Sequence, residues 1–460
     1  MREGTEPGVT GSSTGGERPA ACGAGRAAPA VPADPPPLSG DIAAVLDGAV
    51  LAGVTPGGVL GVSGPAAGQG GAGRAHAFGR LGVTRDTGDA LPDDLYDLAS
   101  VTKIVSTAFL CMLARDRGLL PDLDAPLSSF GWEGPPDTLS LTVRNLLSHR
   151  SGLPAWRPLY LLPGVGRRER ALRAREAILR ERPLFPQGEA TLYSDLGFVL
   201  LGFLLEDLFA RPLESIFREE IAVPLGLAGI LFSPRQIPPG AGPAAGEETP
   251  AGGRARRGGG GREIGGRGSA DGRWDGEGKA ANHAGAGGCG EAPARREALR
   301  IAPTEDGFRC GGPLDRPGVP HLGPVPPGRV HDDNAAWLGG AAGHAGLFAR
   351  AADAMAVIGS WQSSWVDGGG LISLGAAREF LSPQGGAGTS GRRGLGFDCQ
   401  ERPGGGGHLF GHKGYTGPTV WFEPGGRAAM ALLCNRVHPT ARRGGMDAFR
   451  EKLLELVFPG

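Results

Sequence analysis

Lysine is nearly missing from this chain: of 47 Lys+Arg, only Lys103, Lys279, Lys413 and Lys452 are lysines. A surplus of either charge is missing too. The formal net charge is −1, which gives no electrostatic case for a nucleic acid or an anionic membrane surface as partner. The six cysteines (Cys22, Cys111, Cys289, Cys310, Cys399, Cys434) are scattered and contain no C-x-x-C. That argues against a disulfide framework or thiolate zinc site and leaves several of them as small apolar core residues. No stretch supplies the roughly 18 uninterrupted apolar residues of a membrane span. The amino-terminal stretch has no apolar run fit for secretion, so the chain as written is expected in the cytoplasm, or in the periplasm if translation starts elsewhere. No H-E-x-x-H occurs, and His331, Asp332 and Asp333 lack a further ligand at suitable spacing, so they read as a hydrogen-bonded turn rather than a metal site. Gly339, Gly340, Gly343 and Gly346 do not join a strand to a capped helix, which excludes a phosphate cradle. No cofactor is expected.

What is abundant is glycine and proline, 84 and 40 in 460 residues, beyond ordinary usage and pointing to disordered stretches inside a folded protein. Residues 1–38 and 240–298 combine this bias with few large apolar groups and are expected to be a disordered tail and a disordered Gly/Arg-rich insertion. The insertion resembles RNA-binding tracts only in composition, since Trp274 is its one aromatic residue. Residues 39–460 form the expected domain. "LSGDIAAVLDGAVLAG" reads as a helix capped by Ser39 or Asp41, and "PGGVLGVSG" and "GRAHAFGRLG" as strands. Ile104, Val105, Ala108, Phe109, Met112 and Leu113 predict a helix with one buried face, closed by Gly118. "YSDLGFVLLGFLLEDLF" is apolar nearly all round and predicts a core helix. "RGLGFDCQ", "HLFGHKG", "TVWFEPGG" and "AAMALLCNRV" predict strands before a final helix, "GGMDAFREKLLELVF". The fold class is therefore α/β (α+β): one antiparallel sheet from both chain ends (about 39–105 and 335–460) with a helical part inserted (about 106–334).

One of the scarce lysines stands in "YDLASVTKIVST". Lys103 follows Ser100 by three residues, which on a helix puts amine and hydroxyl on one face. Serine is a poor nucleophile until a base takes its proton, and a lysine serves if its surroundings lower its pKa. Ser100 at a helix start also offers its N–H to an oxyanion. A capping serine beside a snorkelling lysine is the plain alternative for S-x-x-K alone.

Two further motifs follow in order, Tyr193-Ser194-Asp195 and His412-Lys413-Gly414. With their flanks ("NLLSHRSGLP", "FPQGEATLYSDLGFVLLG", "GHKGYTGPTVWFEP") the chain resembles the serine β-lactamase and penicillin-binding protein superfamily, in its class C β-lactamase-like branch. "IAPTE", "RVHDDNAAWLGGAAGHAGLF" and "CNRVHPT" resemble its D-Ala-D-Ala carboxypeptidase-like subgroup. The likeness covers 39–235 and 299–460. It implies a β-lactamase/transpeptidase-like fold and a serine hydrolase without cofactor or metal, acting on an ester, a D-amino-acid amide or a β-lactam in a small molecule or peptide.

The same likeness assigns roles. Ser100 forms the acyl-enzyme. Lys103 and Tyr193 share the base work, Tyr193 becoming phenolate only beside a cation such as Lys103. The N–H groups of Ser100 and Tyr415 form the oxyanion hole, the latter on an edge strand. His412, where a lysine is usual, orients a substrate carboxylate or the tyrosine, and Gly414 supports it. His149 receives no chemical role. Two departures stand out. Asp195 replaces asparagine, and its carboxylate is expected to hold Lys103 charged, favouring Tyr193 as base. Lys413 replaces threonine and is expected to face outward. A silent, ligand-binding family member is the alternative function, and a scaffold whose Gly/Arg segment contacts partners is a third.

Overall fold

The computed structural model describes residues 38–67, 74–84, 87–234, 299–305, 325–384, 393–441 and 444–460. Residues 1–37 and 240–298, expected as tail and insertion, lie outside them. The described part is built on a six-stranded antiparallel sheet: β1 (Gly57–Ser63), β2 (Arg74–Gly79), β6 (Asp398–Glu401), β7 (His408–Lys413), β8 (Thr419–Phe422) and β9 (Ala429–Cys434). The spatial order is β2-β1-β9-β8-β7-β6. The earliest strands thus pair with the latest, Leu60 opposite Leu432, as the sequence predicts.

Strand alternation divides the core. Ala429, Ala431 and Leu433 of β9 join the larger cluster, with the helix Ala351–Asp367. Met430, Leu432 and Cys434 face the other way, against Ile42 and Leu46 of the helix Gly40–Leu51 and Phe449 and Leu453 of the helix Met446–Val457. A strand covered on both faces must be apolar throughout, which is why β9 reads AMALLC. Ser39, not Asp41, caps the first helix, its Oγ accepting the Ile42 N–H. Trp361 fills the middle of the larger cluster, within 5.2–5.6 Å of the Phe109, Phe397 and Phe422 rings. Cys111, Cys399 and Cys434 are buried thiols, consistent with small apolar core residues.

A second, three-stranded sheet was not foreseen. β3 (Tyr96–Asp97), β4 (Ile230–Phe232) and β5 (Leu347–Ala349) run in the order β3-β5-β4. These strands are too short for a period to show. Their effect is local: Leu98 N–H donates to Leu347 O at 2.9 Å, which moors the segment before Ser100 to the 343–347 loop. Among the described residues, no helix is long and apolar enough to cross a membrane.

Candidate active site

Ser100 lies on a 3₁₀ turn, Ala99–Val101, directly after β3. The chain reaches it through Ala99, whose φ of 44° is in the left-handed region, a conformation costing a residue with Cβ about 1–2 kcal/mol. Asp97 offsets that cost by accepting the Ala99 N–H on Oδ1 at 2.8 Å. The next stretch, Lys103–Ala108, winds as a π-helix, followed by the α-helix Phe109–Asp116. One buried face was expected here, but every residue from Val101 to Ala114 is buried. The polar side is covered by the 343–347 loop. Thr107 donates to Gly343 O at 2.6 Å, and Thr102 Oγ1 accepts the Leu347 N–H at 3.2 Å.

Lys103 is fully enclosed, and its amine meets polar atoms as well as the faces of the Tyr193 and Phe198 rings, at 4.9 and 5.7 Å. Its Nζ lies 2.9 Å from Ser100 Oγ, 2.8 Å from Asp195 Oδ1 and 3.2 Å from the His344 carbonyl oxygen. Tyr193 stands beside Ser100 and Lys103, its hydroxyl interacting with both. Burial by itself would lower the lysine's pKa, but the Asp195 carboxylate and Tyr193 reverse this and raise it. The ammonium is therefore held charged, as the Asp195 departure implied. Tyr193 behaves otherwise than expected. Burial pushes its phenol up, and Lys103 does not overcome that, so the resting tyrosine is neutral rather than phenolate.

Tyr193 precedes the helix Asp195–Phe209, capped by Ser194. Asp195 thus occupies the first turn, where the helix favours a carboxylate. His149 stacks on the Tyr193 ring at 4.5 Å, while its Nδ1 accepts the Ser194 N–H at 3.1 Å. It backs the tyrosine rather than Ser100. Arg393 escaped the sequence reading: its guanidinium lies 5.7 Å from the Tyr193 centroid and its Nη1 2.7 Å from Asp398 Oδ1. It opens "RGLGFDCQ", read from the sequence as a strand, but its partners Tyr193 and Asp398 are not adjacent in the chain, so its place at the site was not legible.

The third motif arrives on β7. This strand is not an edge by sheet order, yet its pairing with β6 ends at Gly411, so His412 onward is open on that side. Gly414 permits the approach to the Ser100 turn, since a Cβ there would stand 2.6 Å from Leu98 O. His412 is buried, its ring 5.8 Å from that of Tyr193. Nδ1 donates to Lys413 O at 2.9 Å, and burial, with Lys103 and Arg393 nearby, lowers its pKa to about 4. A neutral imidazole with its proton on Nδ1 leaves Nε2 as an acceptor only, and Nε2 has no hydrogen-bond partner. It can take a hydrogen bond from a hydroxyl or amide but cannot bind a carboxylate.

A cleft of about 640 Å³ opens over these groups, lined by Ser100, Tyr193, Lys413, Tyr415, Arg436 and Asp447 among others. Lys413, expected to face away, lines it instead, 3.9 Å from Asp447 Oδ1. Arg436 stacks on Tyr415 at 4.6 Å and donates Nε–H to its carbonyl at 2.6 Å. The described residues offer Arg436 no carboxylate partner. The suspected metal triplet disperses: Asp332 turns to His344 Nε2 at 2.8 Å, and His331 to Glu305 at 3.3 Å. Among the described residues no three metal-type side chains converge.

Comparison with known proteins matches a family model described as Beta-lactamase over residues 42–455. A protein of Escherichia coli O157:H7 named "Putative D-alanyl-D-alanine carboxypeptidase" is 26% identical over 374 residues, 75% of this chain and 69% of its own. The crystal structure of a class C beta lactamase from Rhodobacter sphaeroides aligns with a TM-score of 0.57 at 17% identity, covering 91% of this chain and 99% of that one. The D-amino acid amidase from Ochrobactrum anthropi SV3, complexed with L-phenylalanine amide, aligns at 0.55 and 19%, covering 91% and 97%. At those identities the structural likeness is one of fold.

Proposed function

Since the chain belongs to the Beta-lactamase family, we propose that it is a serine hydrolase whose acyl-enzyme forms on Ser100. The observation that supports this most is the contact of Ser100 Oγ with Lys103 Nζ at 2.9 Å on the wall of a ligand-sized cleft. Ser100 Oγ bonds to the substrate carbonyl carbon, whose oxygen takes the charge and is held by the N–H groups of Ser100 and Tyr415. The serine proton leaves through Tyr193 and Lys103. Both rest protonated, so the proton acceptor at the end of this path is Asp195, which takes one from Lys103 as the serine gives one up. The leaving group departs with a proton returned along the same path, and water then clears the acyl group.

Lys413 and Arg436 on the cleft wall favour an acyl donor with an anionic group near the scissile bond. A carboxypeptidase-type amide fits that better than a neutral ester does, in keeping with the named Escherichia coli relative. A fluorescent penicillin or fluorophosphonate tests the nucleophile: labelling is expected in the wild type and lost in Ser100→Ala. No labelling of the wild type supports the silent, ligand-binding reading instead. Parallel assays with p-nitrophenyl esters, nitrocefin and D-Ala-D-Ala peptides rank the substrate classes.

A further inference from the structure

Asp97 is wholly inside the protein and touches no part of the cleft, yet three of its acceptor atoms are used. Oδ1 takes the Ala99 N–H at 2.8 Å, and Oδ2 takes the His331 N–H at 2.8 Å. Its backbone carbonyl takes the Thr416 hydroxyl, also at 2.8 Å. Ala99 and Thr416 are the immediate neighbours of Ser100 and Tyr415. His331 stacks on Tyr415 from behind, ring centroids 5.6 Å apart, and continues the network to Glu305, whose Oε1 accepts the Ala441 N–H at 3.2 Å.

From this connectivity we infer that Asp97 is a positioning residue, which sets the distance between the nucleophile turn and the loop carrying the second oxyanion donor. One residue fixes the left-handed turn at Ala99, the slope of the ring behind Tyr415, and the start of the Thr416 loop. A tetrahedral intermediate needs its two N–H donors at one separation, while a bound ground-state substrate tolerates more. An amide at position 97 accepts on one atom only, so either Ala99 or His331 loses its acceptor. The inference rests on Ser100 being the nucleophile.

The test is the rate constant for labelling by a fluorophosphonate, with kcat and KM for the best ester or amide, in wild type, Asp97→Asn and Thr416→Val. Labelling is read at a temperature where each variant is fully folded by circular dichroism, so that a changed rate constant is not a changed folded fraction. Asp97→Asn is expected to slow labelling and kcat at least tenfold with KM within threefold. Thr416→Val, which cuts one tie, is expected to slow both several-fold. Asp97→Asn at the wild-type rate overturns the inference, as does a loss confined to amplitude. If Asp97→Asn does not fold, Thr416→Val decides: a slowed rate supports the tie and an unchanged one overturns it. A wild type that never labels removes the Ser100 reading itself, which is a separate outcome.

Discussion

At the residue scale the site is governed by a buried ion pair. Lys103 is enclosed and Asp195 half-buried, its side chain 18% exposed, with 2.8 Å between them. Removing one partner of such a pair strands the other, at about 3–5 kcal/mol. Lys103→Met is therefore expected to lower the melting temperature by several degrees, and Lys103→Met with Asp195→Asn to recover most of the loss, as thermal denaturation will show. Asp195→Asn alone has a kinetic consequence with a definite sign. With the carboxylate gone, burial is opposed by Tyr193 alone and the lysine's pKa moves down. Any rise of kcat/KM with pH that reports neutral Lys103 then moves to lower pH, whereas obligatory proton acceptance by Asp195 makes the variant slower at every pH. A pH–rate profile separates the two.

His412 adds a stability term. Its pKa falls from the ordinary 6.5 to about 4, burial being the main cause. Between those values the unfolded chain binds a proton that the folded chain refuses, so stability is full above pH 6.5 and declines as pH falls toward 4, by ~3 kcal/mol at most. Urea midpoints against pH should show the decline, and His412→Gln should flatten it. Ser100, Lys103 and Tyr193 were legible because their chemistry sits in short spacings. Asp97, His344 and Arg393 were not, because their roles come from partners far off in sequence, as with Lys103 and His344 O. Lys413 was misjudged because strand alternation says which face a residue takes but not where a cleft opens.

At the scale of elements, the site depends on backbones that approach too closely for side chains. Gly343 meets Gly202 on the helix Asp195–Phe209, and a Cβ on Gly343 would collide with Phe198 O and stand 2.9 Å from Gly202 N. Gly343→Ala is expected to cost at least about 1–3 kcal/mol by overpacking and to push the His344 carbonyl off Lys103. A lowered melting temperature and kcat in the same variant would show it. The fold's outline was readable from period and punctuation, both for the paired terminal strands and for the last helix. The one-faced helix after Ser100 was misread because solvent and a covering loop look alike in a single segment's pattern.

At the scale of the whole molecule, the last helix reaches back to the cleft wall. Arg450 is buried and its Nη2 donates to the carbonyls of Gly414, Gly417 and Pro418 at 2.8, 2.8 and 3.1 Å. Gly414 O and Pro418 O keep backbone donors without it, so Arg450→Met is expected to cost about 1–3 kcal/mol through Gly417 O and to reduce kcat, with Lys452→Met, on the exposed face, as the neutral control in melting and rate assays. The sheet's order carries a further corollary for biosynthesis. The strands made first have their neighbour, β9, among the strands made last. A ribosome that has already delivered Ser100 and Lys103 has yet to deliver β6 to β9, so a nascent or stalled chain holds the two side chains without most of the sheet they rest on, and the proposed reaction requires the completed molecule.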